Sequence, residues 1–188
     1  RGRGVFVDGL NHVLDALDTN RVERIQHVVQ SVDEDTPTAP QGFNGRILLE
    51  AEATLAARAI PHTTLRFAGL YGPGRLQLLE RLRAGKASAP VEPPHWANRI
   101  HIDDAAAAIA HVALLPEASP VYIGCDDTPL PLHELYAELA RMIGAPLPAD
   151  GPAPAGVGSK KLSNARLRAS GLALQWPDSR AGYAALLA

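Results

Sequence analysis

The 188-residue sequence has one cysteine, Cys125, and one methionine, Met142. A lone thiol cannot build a disulfide framework, and such scarcity fits a reducing compartment. The expected location is therefore cytoplasmic. Long apolar runs are also missing. None reaches the roughly 18 residues that a membrane-crossing helix needs, and no signal peptide is visible. Neither sign of charge dominates: 18 Lys and Arg stand against 20 Asp and Glu, for a net charge of −2. That removes the electrostatic case for nucleic acid or an anionic membrane as partner. His62, His111 and His133 lack ligand spacing such as H-x-x-x-H, so no metal site is expected. There is no G-x-S-x-G elbow to make Ser31 a hydrolase nucleophile. An initiator methionine is missing as well. The chain opens Arg1-Gly2-Arg3-Gly4, as a fragment, a processed chain or part of something longer would.

Hydrophobic residues make up 46% of the chain and charged residues 20%, the balance of an ordinary globular domain with a real core. Residues 5–17 carry Leu10, Val13, Leu14 and Leu17 at helical spacing. Residues 24–29 (RIQHVV) read as a short buried strand. A turn-rich loop with Pro37 and Pro40 spans 33–42. Residues 46–58 read as a helix, 63–67 as a strand after the breaker Pro61, and 76–82 as a helix. The proline-rich run 87–98 is expected to be irregular. Asp103 or Asp104 is placed to cap a helix through AAAAIAHVALL. A strand follows at 120–124, then an amphipathic helix over 132–143 ended by Gly144 and Pro146. Residues 145–158 form a connection, and KKLSNARLRASG a lysine-bearing turn with a short helix. Lys160 and Lys161 read equally as a solvated charge pair. Trp176 and Tyr183 are expected to pack the C-terminal segment. Strands alternating with helices imply an α/β fold with a parallel sheet, whose ligands sit beyond the carboxyl ends of the strands.

A dinucleotide site needs a strand, then G-x-G-x-x-G, then a helix. Gly2 and Gly4 start that pattern, but the next glycine is Gly9. Gly69, Gly72 and Gly74 have the wrong spacing, and Pro73 removes an amide. The run 65–75 (LRFAGLYGPGR) reads instead as the end of a buried strand, a tight turn, and an arginine at its mouth. A second block, 98–104 (NRIHIDD), follows. Arg75 and Arg99 offer the bidentate fork that suits phosphate or carboxylate, and both also read as ordinary surface arginines. His101 reads as a ligand contact or as a residue that pins its loop.

These two blocks resemble the substrate-side half of the extended short-chain dehydrogenase/reductase family, the NAD-dependent epimerase/dehydratase group. The resemblance implies the later part of a Rossmann-like, doubly wound parallel sheet. The first nucleotide-binding half is absent from the string, and a small C-terminal substrate lobe comes mainly from about 76–100 and 126–188 of one domain spanning 1–188. It implies NAD or NADP bound mainly by residues outside the string, with Ser31, Phe67, Ala68 and Gly69 at the cofactor. It places Tyr71, Arg75, Arg99 and His101 toward a sugar-like or nucleotide-linked substrate. Phe6-Val7-Asp8-Gly9-Leu10 partly matches the family's N-V-x-G-T helix. Asp33-Glu34-Asp35-Thr36-Pro37 resembles a D-E-x-x-P loop that relatives carry after a V-Y-G run, so a stretch is expected to be missing between Ser31 and Val32.

One departure is sharper. Relatives carry Y-G-x-S-K-x-x-x-E, whose tyrosine transfers the proton and whose lysine lowers the tyrosine's pKa. Asn44 and Leu48 stand at those two positions, and neither ionises. Arg46 lies two positions along the helix and points elsewhere. The run is closer to F-x-G-[KR]-x-x-L-E-A-E in a branch of uncertain activity. The catalytic group is thus unknown, and a catalytically inactive NAD(P)-binding sensor or regulatory protein stands as the alternative to an active oxidoreductase. The resemblance also implies a homodimer built from helices near 5–17 and 46–58.

Overall fold

The computed structural model describes residues 31–40, 42–58, 61–154 and 158–187. The helix expected over 5–17 and the strand expected over 24–29 lie outside the described residues. Strand β1 spans Ser31–Val32. Helix α1 (Phe43–Ala57) begins three residues before the expected start. It buries only Gly45 and Leu48 and has no side-chain cap, so its apolar Phe43, Ile47 and Leu55 remain exposed. What ties it down is an ion pair. Arg66 on strand β2 (Thr64–Phe67) donates to both carboxylate oxygens of Glu52, at 3.1 and 2.6 Å.

Strand β3 (Gly69–Tyr71) follows β2 with only Ala68 between them. After helix α2 (Gln77–Arg83) come strands β4 (Ser88–Ala89), β5 (Trp96–Ala97) and β6 (Arg99–His101). The run 87–98 thus holds two short strands where irregular chain was expected, since each finds a distant partner. Helix α3 (Ile102–Ala113), strand β7 (Val121–Gly124), strand β8 (Leu130–Pro131) and helix α4 (Leu132–Met142) come next. Strands β9 (Ala149–Asp150) and β10 (Lys161–Leu162) lead to helices α5 (Ala165–Ala169) and α6 (Ser179–Ala185). The expected lysine-bearing turn is therefore a strand, because Lys161 and Leu162 pair with Ser31 and Val32.

Four of the five strand pairs are parallel: β1 with β10, β2 with β7, β3 with β6, and β4 with β9. The fold is mixed α/β, as the alternation of elements implied. Ala68 is where the chain changes partners. Its N–H donates to Gly124 O beside β7 at 2.8 Å, and the next N–H, of Gly69, donates to Asn98 O beside β6 at 3.2 Å. A crevice opens where neighbouring strands part in this way.

Helix α4 packs Leu132, Leu135, Tyr136, Leu139 and Ala140 inward at helical spacing, beside Leu79 and Leu82 of α2. Each such buried leucine is worth roughly 1.5–3 kcal/mol of apolar transfer. Gly144 adopts φ 63° just beyond the helix, a conformation only glycine takes without strain. The cap of α3 departs from the sequence reading. His101 is the N-cap, its Nδ1 accepting from Asp103 N at 3.2 Å. Asp104 turns away and accepts from Gln175 N and Trp176 N. Glu34 of the 33–37 loop accepts the N–H of Ile123 at 2.7 Å, which covers the free edge of β7. Among the described residues no helix is long and apolar enough to cross a membrane, and no group of His, Cys, Asp or Glu is placed to hold a metal ion.

Candidate functional site

A cavity of about 260 Å³ opens at the Ala68–Gly69 switch. One wall is β5 and the start of β6, with His95, Trp96 and Arg99. Across from it stand Leu132 and Tyr136 of α4, and Lys160 and Leu162 close the side. The wall is assembled by backbone and amide bonds rather than by chance packing. His95 O accepts from Leu132 N at 2.6 Å, fixing α4 against β5. Asn98 extends its side chain to the 160–162 segment like a strand edge: Nδ2 donates to Lys160 O at 2.9 Å and Oδ1 accepts from Leu162 N at 2.8 Å. Trp96 N donates to Ser159 Oγ, and Lys161 Nζ lies 3.7 Å from the centre of the Trp96 ring.

The electrostatics of the cavity have one sign. Arg99, Lys160, His95 and, at the exposed rim, Arg81 line it, and among the described residues no carboxylate does. Lys160 is 6% exposed and His95 4%. Arg99 Nε and Trp96 Nε1 are buried without a hydrogen-bond partner among the described residues. A buried donor left unmade costs about 1–3 kcal/mol, more when it is charged, so the arrangement suits an acceptor that enters the cavity. Gly69 permits it: a Cβ at that position would meet Arg99 Nη1 and the Asn98 carbonyl. Burial, and then the charges of Lys160 and Arg99, hold the His95 imidazole below its ordinary pKa of 6.5.

Of the residues singled out from the sequence, Ala68, Gly69, Arg99 and Lys160 meet at this cavity, and Lys160 is buried rather than one of a solvated charge pair. The others lie elsewhere. Phe67 packs with Ile100, Tyr122 and Leu167 in the core. Tyr71 is 1% exposed, stacked on Tyr183 at 4.2 Å and set edge-on to His101 at 5.1 Å. Burial first, then nearby Asp126, push its phenol well above the usual range. His101 is buried as the α3 cap and tilted against Trp176 at 5.3 Å. Arg75 closes the glycine turn through its backbone, N–H to Gly72 O at 2.9 Å. Ser31 is exposed at the start of β1. Asn44 is exposed on α1, while Leu48 lies in a small cavity of about 120 Å³ between α1 and β2.

His95, Trp96, Tyr136 and Arg81 escaped the sequence reading. The available signal was a histidine–tryptophan pair directly before the 98–104 block, masked by the prolines around it.

No family model matches the chain. Protein YeeZ of Escherichia coli (strain K12) is 29% identical over 155 residues, which are 76% of this chain and 54% of that protein. A structure from Methylobacillus flagellatus, assigned as an NAD-dependent epimerase/dehydratase, is 45% identical with a TM-score of 0.70, over 86% of this chain and 59% of that one. MoeE5, in complex with UDP-glucuronic acid and NAD, is 22% identical with a TM-score of 0.71, covering 93% of this chain and 60% of that one; at that identity the likeness is one of fold. The chain spans about half the length of the curated relatives it matches.

Proposed function

As a member of the extended short-chain dehydrogenase/reductase family, of the NAD-dependent epimerase/dehydratase kind, this chain, we propose, supplies the substrate-side part of an NAD(P)-dependent oxidoreductase or epimerase/dehydratase. Its substrate is a sugar-like or nucleotide-linked molecule with an anionic group. The observation that carries this reading is the cation-lined cavity at the Ala68–Gly69 switch, where Arg99 Nε has no protein partner among the described residues.

The small residues Ala68 and Gly69 fit the nicotinamide end of such a cofactor, because they place no bulky side chain of their own between the strand ends and the cavity. When bound, the cofactor supplies hydride transfer. No G-x-G-x-x-G turn for its pyrophosphate occurs among the described residues. The chain's own residues bind and orient: Arg99 holds the anion, and Trp96 and Tyr136 shape the wall. The substrate lobe is drawn mainly from about 76–100 and 126–188 of a single domain. The protein works in the cytoplasm as a homodimer.

A second reading has its own support. Asn44 is exposed and Leu48 is buried, and neither side chain ionises, so neither position offers a proton. A catalytically inactive NAD(P)-binding sensor of the same fold accounts for that. Titration of the full-length protein with NADH and NADPH, followed by turnover assays across sugar nucleotides, separates the two. Binding with turnover is the expected result. Binding without turnover favours the sensor, and no binding of either cofactor overturns both.

A further inference from the structure

The cavity at the Ala68–Gly69 switch is poor in the groups that hold a sugar ring. Among the described residues no Asp, Glu, Ser, Thr or Gln lines it. Its one side-chain amide, Asn98, is engaged at both ends, Nδ2 donating to Lys160 O and Oδ1 accepting from Leu162 N. A pyranose brings several hydroxyls, each a donor as well as an acceptor. Enclosed here, those donors meet few side-chain oxygens, and a buried donor left unmet weighs against binding.

The lining is flat and apolar instead. Ala97, Leu132 and Leu162 share the wall with Trp96 and Tyr136. The indole is held from several sides. Trp96 pairs with Pro131 between β5 and β8, its backbone N–H donates to Ser159 Oγ at 3.1 Å, and Lys161 Nζ covers one ring face at 3.7 Å. Lys161 does not line the cavity, and Trp96 Nε1 is buried. The opposite ring face and the benzene rim are left for the cavity. Ring-to-ring contacts among the described residues join Tyr71, His101, Trp176 and Tyr183, and Trp96 and Tyr136 take part in none of them. A flat ring entering the cavity supplies the offset or edge-on partner that such surfaces prefer. At about 260 Å³ the cavity is close to the smallest of small-molecule pockets. That is room for one ring with a short arm rather than for a nucleotide sugar.

We propose that Trp96 is the specificity-determining residue of this cavity, a stacking platform that selects a small aromatic acid over a sugar acid of the same charge. The ring lies on the indole, and the acidic group meets Arg99, whose Nε has no partner among the described residues. The proposal rests on the reading of the cavity as the substrate site and narrows the class of group that fills it. Charge does not make the choice, because both acids carry one negative charge. The ring makes it, since an aromatic ring without hydroxyls asks for no acceptors from the wall.

The test is calorimetric and proton NMR titration of the full-length protein with phenylacetate, cyclohexylacetate, glucuronate and uridine monophosphate. Phenylacetate should bind about three- to tenfold tighter than its saturated counterpart, and tighter than glucuronate. Its ring protons should shift upfield in the ring current of the indole. Trp96→Leu should bind phenylacetate and cyclohexylacetate equally and lose that shift, while Trp96→Phe keeps most of both. The shift is read on the unsubstituted protein, so it holds even if a Trp96 variant misfolds. Equal affinity of the unsubstituted protein for the two matched acids, or a shift that folded Trp96→Leu retains, overturns the platform. Glucuronate binding tighter than phenylacetate, or uridine monophosphate binding where phenylacetate does not, overturns the small aromatic acid and leaves the cavity as the substrate site. Binding of none of the four overturns that reading as well.

Discussion

Asp104 binds Trp176 through space: its carboxylate accepts the Trp176 N–H at 2.9 Å and the Gln175 N–H at 2.7 Å, although the sequence separates them by more than 70 residues. The aspartate is 2% exposed, so its removal would take the partner from both amides and leave a cavity in its place. Asp104→Ala is expected to cost roughly 2–4 kcal/mol. Asp104→Asn, which keeps one acceptor oxygen, should cost about half as much. Urea denaturation gives the stabilities, and limited proteolysis should show the 175–187 segment released first.

Asp126 gives a prediction with a defined pH window. Burial is the main cause that pushes its carboxyl up to about 6 from an ordinary 3.8. Between those values the folded chain holds a proton that the unfolded chain has released. The stability this group contributes therefore falls as pH rises from about 4 to about 6, then stays level. Asp126→Asn keeps an oxygen for the Ser179 N–H and removes the titration. Relative to the variant, the unsubstituted protein should lose roughly 2–3 kcal/mol between pH 4 and 7. The comparison must be with the variant, because the Arg180-bonded Asp178 is shifted down and changes stability in the opposite sense.

Gly69→Ala should separate binding from folding. The new methyl would meet the end of the flexible Arg99 side chain and, less closely, the Asn98 carbonyl. Stability should fall by less than about 1.5 kcal/mol, the tolerable end of added volume. Phenylacetate affinity should drop about three- to tenfold, since the guanidinium must leave the cavity wall. An unchanged affinity would remove Arg99 from the site.

The exposed side of α1 carries a prediction about assembly. Phe43 is 70% exposed, and Ile47 and Leu55 lie on the same helix, also exposed. Light scattering of the full-length protein is expected to report a dimer. Phe43→Glu with Ile47→Glu should shift it to monomer without changing the helix content read by circular dichroism.

The alternation of strands and helices was legible because β2, β7, α3 and α4 each carry their own periodicity. Strands β4, β5, β9 and β10 were not, since two residues hold no period and form only when a distant partner arrives. The cap of α3 was misassigned for a related reason. Asp103 and Asp104 are both sound caps by local rules, and only the packed C-terminal segment draws Asp104 away. Local glycine chemistry correctly marked the turn at 72–75. It could not reveal that Tyr71 beside it faces Tyr183 rather than a ligand.

The pairing of β1 with β10 has a bearing on the order of folding. Ser31 and Lys161 are about 130 residues apart in the chain, and Lys160, which closes the cavity, precedes that pair directly. The loop-closure entropy of such remote segments must be met before their contacts repay it, so the pairing belongs late in folding. The cavity is thus among the last features a newly made chain completes. A nascent or truncated product ending before residue 160 would lack both the Lys160 side of the binding site and Tyr183 from the hydrophobic core of α2 and α4.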